Sequence, residues 1–342
     1  MTLLACAFVS APRCSAQSPT NILNLFIWSE YIDPAVVAGF EKKFDCKVTV
    51  DLYDDDESMM SKLQGGAVSL YDVIVPSNQL VPALVKLGML LPLDHQALPN
   101  LKNIDPTFIN PPYDPGNQYT VPFQWGTLGI YMRKPAGKPI DETWGLIFDA
   151  AKQPGEILLL DSYRETIGSA LCYLHRSGNT TNIADLKAAR DLLLATKQRS
   201  LGFEGSVGGV QRVASESAFV AVVYNGDAVK RVAQYTNTCY FVPREGSQIW
   251  VDHLAIPAQA PHRPLAEKFL NYILDPRIGA QQANFSQYAT PNQSAKKYVK
   301  PEDLANPAIY PPPEIMSKLE FTTDLGRQSR LYDEVWTVVK VK

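Results

Sequence analysis

Short apolar segments with strand character alternate with amphipathic helical segments from residue 21 onward. Asp33 followed by Pro34 is typical of a helix N-cap with proline in the first turn. After this cap, Val36 and Phe40 recur at helical spacing. The predicted strands are 23–28, 47–53 and 71–76, and the predicted helices are 34–44, 55–65 and 78–88. This alternation predicts a parallel sheet with helices on both faces.

The same alternation returns in the second half of the chain. The predicted strands are 156–160, 218–224 and 250–256, and the predicted helices are 166–175, 184–196 and 264–274. Residues 106–139 are rich in Pro, Gly and Asn, which favours a connecting region between the two blocks. A chain of 342 residues is long for one domain and comfortable for two. We therefore predict two α/β lobes, with one large sheet as the alternative.

The N-terminus resembles a signal for secretion. Residues 1–11 are mostly apolar, and Cys14 and Ala16 are the small residues that signal peptidase requires. We predict that residues 1–16 are removed, that the mature chain starts near Gln17 and that it is periplasmic. A buried N-terminal helix is the alternative. No later stretch approaches the ~20 apolar residues of a membrane-spanning helix.

Charge and cysteine content exclude several classes of function. The net charge is −3, so no basic field invites nucleic acid. Cys46, Cys172 and Cys239 remain after the predicted cleavage. We predict a disulfide between Cys172 and Cys239, with three buried thiols as the alternative. No spacing of Cys and His indicates a metal site, so we predict no metal and no cofactor.

Aromatic and acidic residues recur where the predicted strands end. Ligands of such sheets bind beyond the carboxyl ends of the strands. Ring faces attract an ammonium group by about 0.5–2 kcal/mol each, and a carboxylate adds charge-assisted hydrogen bonds of ~1.5–3 kcal/mol. The residues concerned are Trp28, Ser29, Glu30 and Tyr31, then Ser77, Glu165, Tyr224, Asp227, Trp250, Asp252 and Tyr288. Recurrence at several strand ends predicts a site for a protonated amine.

The acidic run at residues 54–57 is interpreted differently. It lacks the spacing and the glycine of a calcium-binding loop. We interpret it as the solvated N-terminus of a helix. No nucleophile motif and no phosphate-binding loop is present.

Several motifs in order resemble the periplasmic spermidine- and putrescine-binding proteins of bacterial ABC importers. They include WSEYIDP, YDVIVPS, YNGDA and Y-x-TPN, and the resemblance extends from residue 23 to the C-terminus. It implies a hinged, two-lobed type II periplasmic binding protein fold, each lobe a mainly parallel sheet flanked by helices. The lobes implied are 21–127 plus 253–300, and 128–252 plus 301–342. A membrane permease is the implied partner, and we predict a monomer that is not an enzyme.

The resemblance also implies a role for each candidate residue. Trp250 and Asp252 are the central ring and carboxylate of the implied site. The first lobe supplies ring walls, a carboxylate and polar contacts, which are Trp28, Tyr31, Glu30, Ser29 and Ser77. The second lobe supplies the carboxylates Glu165 and Asp227 and the ring of Tyr224, where the family usually has Trp. Tyr288 is similar to a family aromatic residue that closes the side of the cleft.

Departures from the family pattern bear on the ligand. Gln79, Ser162 and Thr322 stand where spermidine binders have other residues, and Asp227 is similar to the carboxylate of putrescine binders. We therefore predict that putrescine is favoured over spermidine. Two alternatives stay open. One is another cationic small molecule, such as an amino acid or an opine-like amine; the other is a hydrolase that uses paired carboxylates.

Overall fold

The computed structural model describes residues 21–137 and 139–341, so the predicted signal peptide lies outside the described residues. The strands are β1 Ile22–Trp28, β2 Lys47–Tyr53, β3 Val73–Ile74, β4 Thr120–Arg133, β5 Ile157–Leu160, β6 Ser200–Glu204, β7 Val220–Tyr224, β8 Thr238–Phe241, β9 Ser247–Ala255 and β10 Leu319–Phe321. The fold is a mixed α/β structure, as predicted. In the described part of the chain, no helix is both long and apolar enough to cross a membrane.

Helices follow most of the strands. They are α1 Pro34–Phe44, α2 Asp56–Gln64, α3 Val81–Lys86, α4 Gly145–Phe148, α5 Tyr163–Tyr173, α6 Ile183–Lys197, α7 Ser206–Ala214, α8 Asn225–Val232, α9 Arg263–Ile273, α10 Pro276–Ser286, α11 Pro301–Leu304, α12 Pro313–Met316 and α13 Ser329–Val341. The predicted cap of α1 is confirmed, because the Asp33 side chain accepts a hydrogen bond from the Ala35 amide.

The sheet has two groups of parallel strands. In one group β1 pairs with β2 and β3, and in the other β5 pairs with β6 and β7. Antiparallel β9 and β4 join the groups, giving the strand order β2-β1-β3-β9-β4-β7-β5-β6, with β10 beside β9 and β8 beside β4. The hydrogen-bonded path through these strands is continuous. One apolar core includes Leu25, Phe40 and Leu254, and another includes Trp144, Leu160 and Tyr332.

The central strand β4 corrects the prediction for residues 106–139. It is the longest strand described and is buried along nearly all of its length. Pro122 stands where the pairing with β9 shifts register, and Gly126 and Gly129 face close neighbours. A Cβ atom at Gly126 would lie 2.5 Å from Cζ2 of Trp250. In this strand, proline therefore marks an irregularity in the pairing, and glycine lets neighbouring groups pack against the backbone. Neither residue type indicates a loop here.

Strand β4 changes partners partway along its length. Thr120 to Thr127 pair with β9, whereas residues from Leu128 onward pair with β7. The predicted boundary between the two lobes falls at the same place, between residues 127 and 128. We propose that the chain is divided into two lobes there.

The predicted disulfide between Cys172 and Cys239 is wrong, because both thiols are free, as is that of Cys46. Cys172 lies near the end of α5, whereas Cys239 lies on β8 with its sulfur 3.8 Å from the Met132 carbonyl oxygen. Burial raises the pKa of Cys172 to about 12 and that of Cys239 to about 11. Both thiols are therefore held protonated within packed surroundings.

Candidate ligand-binding site

Four of the predicted rings form one group, which we call the ring cluster: Tyr31, Tyr224, Trp250 and Tyr288. The centroid of Trp250 is 5.0 Å from that of Tyr288 and 6.0 Å from that of Tyr224, both edge to face. Tyr31 lies 5.6 Å from Tyr288. Such contacts hold the rings at fixed angles, and the face of an aromatic ring attracts a cation.

Glycine allows the cluster to pack against the backbone. The ring of Tyr288 lies against Gly226 in the first turn of α8, where a Cβ atom would overlap it. Trp250 lies in the same way against Gly126 on β4. The Asn-Gly-Asp segment after β7 thus provides both a flat support for one ring and the carboxylate of Asp227.

Asp252 lies at the centre of β9 and is 6% exposed. Its Oδ2 accepts a hydrogen bond of 2.6 Å from the Tyr31 hydroxyl. Burial raises the pKa of Asp252 well above its ordinary value, the Tyr31 hydroxyl opposes this rise, and the charge of Asp56 adds to it. A ligand cation would favour the ionised form of this carboxyl group.

Glu165 and Asp227 each lie in the first turn of a helix. Glu165, on α5, is buried and accepts a hydrogen bond from the Ser162 hydroxyl. Asp227, on α8, accepts one of 2.6 Å from the Ser206 hydroxyl. Burial raises the pKa of Asp227, while the hydroxyls of Ser206 and Tyr288 oppose the rise. Both carboxyl groups therefore lie where the positive end of a helix dipole favours an acidic side chain.

The candidate residues on the first part of the chain are less centrally placed. The ring of Trp28 packs on that of Tyr53, with their centroids 4.6 Å apart, and Trp28 Nε1 donates a hydrogen bond to the Val75 carbonyl oxygen. Ser29 is exposed and donates to Asp54. Glu30 is exposed with φ 54°, and its charge contributes to the raised pKa of Asp227. Trp28 therefore packs on Tyr53 rather than on the ring cluster, and Ser29 and Glu30 face solvent.

Asp56 also lies beside the candidate site, although the sequence predicted a solvated helix N-terminus at this position. Its Oδ2 accepts hydrogen bonds from the Ser77 hydroxyl at 2.6 Å and from the Gln79 amide at 3.0 Å. The backbone of Ser77 in turn pairs with that of Asp252 in an isolated antiparallel β-bridge. The sequence did contain one signal for Asp56, which is its position just after β2. Because β2 is the parallel neighbour of β1, both strands end at the same edge of the sheet. The prediction that residues 54–57 form a solvated helix N-terminus fits Asp55, which is exposed and caps α2.

The carboxylates of this site lack ion pairs within the described residues, although the charge of nearby Lys230 opposes the rise in the pKa of Asp227. Among the described residues, no lysine, arginine or histidine forms an ion pair with Asp56, Glu165, Asp227 or Asp252. Buried charges are ordinarily paired, because an unpaired one is costly. Unpaired carboxylates beside ring faces are what a small organic cation requires. The arrangement is therefore a candidate site for a cationic solute.

Comparison with known proteins gives the family. Residues 35–311 match the bacterial extracellular solute-binding protein family, and the chain belongs to it. The spermidine/putrescine-binding periplasmic protein of Escherichia coli (strain K12) is 33% identical over 99% of this chain and 97% of that relative. The putrescine-binding periplasmic protein PotF of the same organism is 32% identical over 97% of this chain and 94% of its own.

A solved structure agrees with these relatives. The putative spermidine/putrescine ABC transporter from Listeria monocytogenes has a TM-score of 0.86 at 34% identity. The match covers 94% of this chain and 99% of that one. The predicted type II binding protein fold is therefore confirmed.

Proposed function

We propose that this protein captures a linear polyamine in a cleft between its two lobes and delivers it to the membrane permease of an ABC importer. The unpaired carboxylates beside the ring cluster carry this proposal. Relatives over nearly the whole chain are named for binding spermidine or putrescine. Putrescine is the favoured ligand, on the departures at Gln79, Ser162 and Thr322 and the presence of Asp227.

The energetics of the site suit a dication. Ring faces contribute about 0.5–2 kcal/mol each to an ammonium group, and charge-assisted hydrogen bonds contribute ~1.5–3 kcal/mol each. Two or three such contacts, with methylene groups stacked on the rings, reach the ~−8 kcal/mol of micromolar binding after ordering costs. Burial of Asp252, Glu165, Tyr31 and Tyr288 supports a closed arrangement of the lobes.

Location and assembly belong to the same proposal. The relatives are named as periplasmic proteins, and a cleaved segment at residues 1–16 would bring this chain to the same compartment. We propose a monomer with a binding role and no turnover. Recovery of a chemically altered amine after a long incubation would contradict that role and revive the hydrolase alternative.

Calorimetry with putrescine, cadaverine, spermidine and spermine tests the proposal. We expect heat and a raised melting temperature with at least one linear amine, and weaker binding as the salt concentration rises, because the contacts are electrostatic. Neutral sugars and acidic amino acids serve as controls. Absence of heat and of any thermal shift with all four amines would refute the proposed function. Binding of an opine-like amine alone would support the alternative ligand class.

Replacing Trp250 with alanine should weaken amine binding far more than replacing Ser29 with alanine. The Trp250 ring lies between Tyr224 and Tyr288, so its loss removes a ring face and loosens two others. We expect a loss on the order of 10- to 100-fold, against about twofold for exposed Ser29. Titration calorimetry on both variants measures the difference. Equal, small losses would place the ligand elsewhere.

A further inference from the structure

Asp56 has an oxygen atom without a partner. Oδ2 is occupied by the Ser77 hydroxyl and the Gln79 amide. Oδ1 is buried, and no hydrogen-bond donor among the described residues reaches it. A carboxylate at the start of an exposed helix would ordinarily face solvent, as that of Asp55 does at the N-cap of α2. Asp56 instead turns inward, toward the ring cluster.

The surroundings of Asp56 are acidic and aromatic. Its charge raises the pKa of Asp252 on β9, and the charges of Glu57 and of Glu165 on α5 raise its own. Asp56 therefore links the carboxylates of β9 and α5. The ionisable groups that face it are Asp252, Glu165, Glu57, Tyr53 and Tyr224. None of them is a cation.

Protonation relieves this crowding in the empty protein. Burial raises the pKa of Asp56 to about 7, and the hydrogen bonds from Ser77 and Gln79 oppose that rise. Like charges close together cannot all ionise without a cation between them. A ligand ammonium on the free oxygen would remove the need for a proton there, because the ammonium compensates the same charge.

We infer that Asp56 is a further ligand-binding carboxylate of this site, and that a ligand ammonium takes the place of its proton at Oδ1. The inference rests on the proposed function and adds a residue to it. Binding of a polyamine would then release the proton of Asp56, because a ligand ammonium group takes its place. Asp56 would then hold the ligand together with Glu165, Asp227 and Asp252.

The variant Asp56→Asn tests the assignment with little change of shape. An asparagine oxygen still accepts from Ser77 and Gln79, while the charge is lost. We expect putrescine, or whichever of the four amines binds best, to bind about tenfold more weakly or worse at about pH 8. The matched control is Asp55→Asn, which removes the same charge from the neighbouring residue. Asn caps a helix as well as Asp, so this control should change affinity by less than about twofold.

Proton release supplies a readout that a purely structural role would not move. Calorimetry in two buffers of different ionisation enthalpy at about pH 6 counts the protons released on binding. The wild type should release close to one proton more than Asp56→Asn. The empty Asp56→Asn protein should also melt at a higher temperature than the wild type at about pH 8, because it no longer buries an unpaired charge.

The outcomes separate the two proposals. A wild type that binds none of the amines overturns both the proposed function and this assignment. A wild type that binds, with Asp56→Asn equal to it in affinity and in proton release, overturns the assignment alone. A variant that loses affinity but melts lower than the wild type at about pH 8 shows Asp56 to be structural, and this also overturns the assignment.

Discussion

Replacing Asp252 with asparagine is expected to weaken polyamine binding on the order of 100-fold or more. Removing one partner of a buried, hydrogen-bonded charge pair typically costs about 2–5 kcal/mol. Asp252 is buried at the centre of β9 and is in contact with a ring-cluster hydroxyl, so water cannot replace its charge. Asparagine keeps the shape and can still accept from Tyr31.

Titration calorimetry on the folded variant measures this effect. The control is Asp94→Asn, the same change at an exposed cap whose side chain accepts from the Gln96 amide. That control should bind like the wild type. A loss below about threefold in Asp252→Asn, with melting temperature maintained, would show that the ligand ammonium does not meet this carboxylate.

The second large effect is that of pH on affinity. In the empty protein, Asp56 holds its proton below its pKa of about 7, and burial raises the pKa of Asp252 and Asp227 in the same direction. An ammonium binds the ionised form, so affinity should fall about tenfold for each unit below pH 7 through Asp56 alone. Between pH 8 and pH 5 we expect a loss on the order of 100-fold, measured by calorimetry. A flat profile over this range would contradict the raised pKa values.

The stability of the ligand-free protein depends on pH in the opposite sense. Protonation of these carboxyl groups weakens ligand binding but favours the folded state. A carboxyl group whose pKa is raised on folding binds its proton more tightly in the folded state, so it favours folding in acid. This contribution is lost as the pH rises through about 7 for Asp56. His253 acts the other way, because burial lowers its pKa to about 3 and stability is lost as the pH falls below ~6.5. The difference between wild type and Asp56→Asn therefore isolates the carboxyl contribution.

Local patterns were enough to predict elements whose residues follow their usual roles. The cap at Asp33, the helix α6 and the buried strand β7 follow directly from side-chain type and spacing. Trp250 and Asp252 lie within β9, inside the predicted strand 250–256, and not at a strand end as the sequence predicted. Periodicity and capping depend only on neighbours in sequence, which explains these successes.

The failures depend on neighbours in space. Strand β4 has the composition of a loop because Pro122 stands at a bulge and Gly126 and Gly129 make room for side chains of other strands. Asp56 resembled a solvated helix terminus, and only its contacts with Ser77 and Gln79 show otherwise. Cys172 and Cys239 were assigned to each other by their positions along the chain, which carry no information about the distance between their sulfurs.

The change of partners along β4 has a mechanical consequence. Because the strand is hydrogen-bonded to β9 up to Thr127 and to β7 from Leu128, turning one group of strands against the other must twist β4 itself. Gly126 and Gly129 flank that point and resist backbone rotation least. A rotation of this kind would therefore pass through the backbone at Gly126, which lies against the Trp250 ring. A ligand stacked on that ring would touch the segment of β4 through which such a rotation passes.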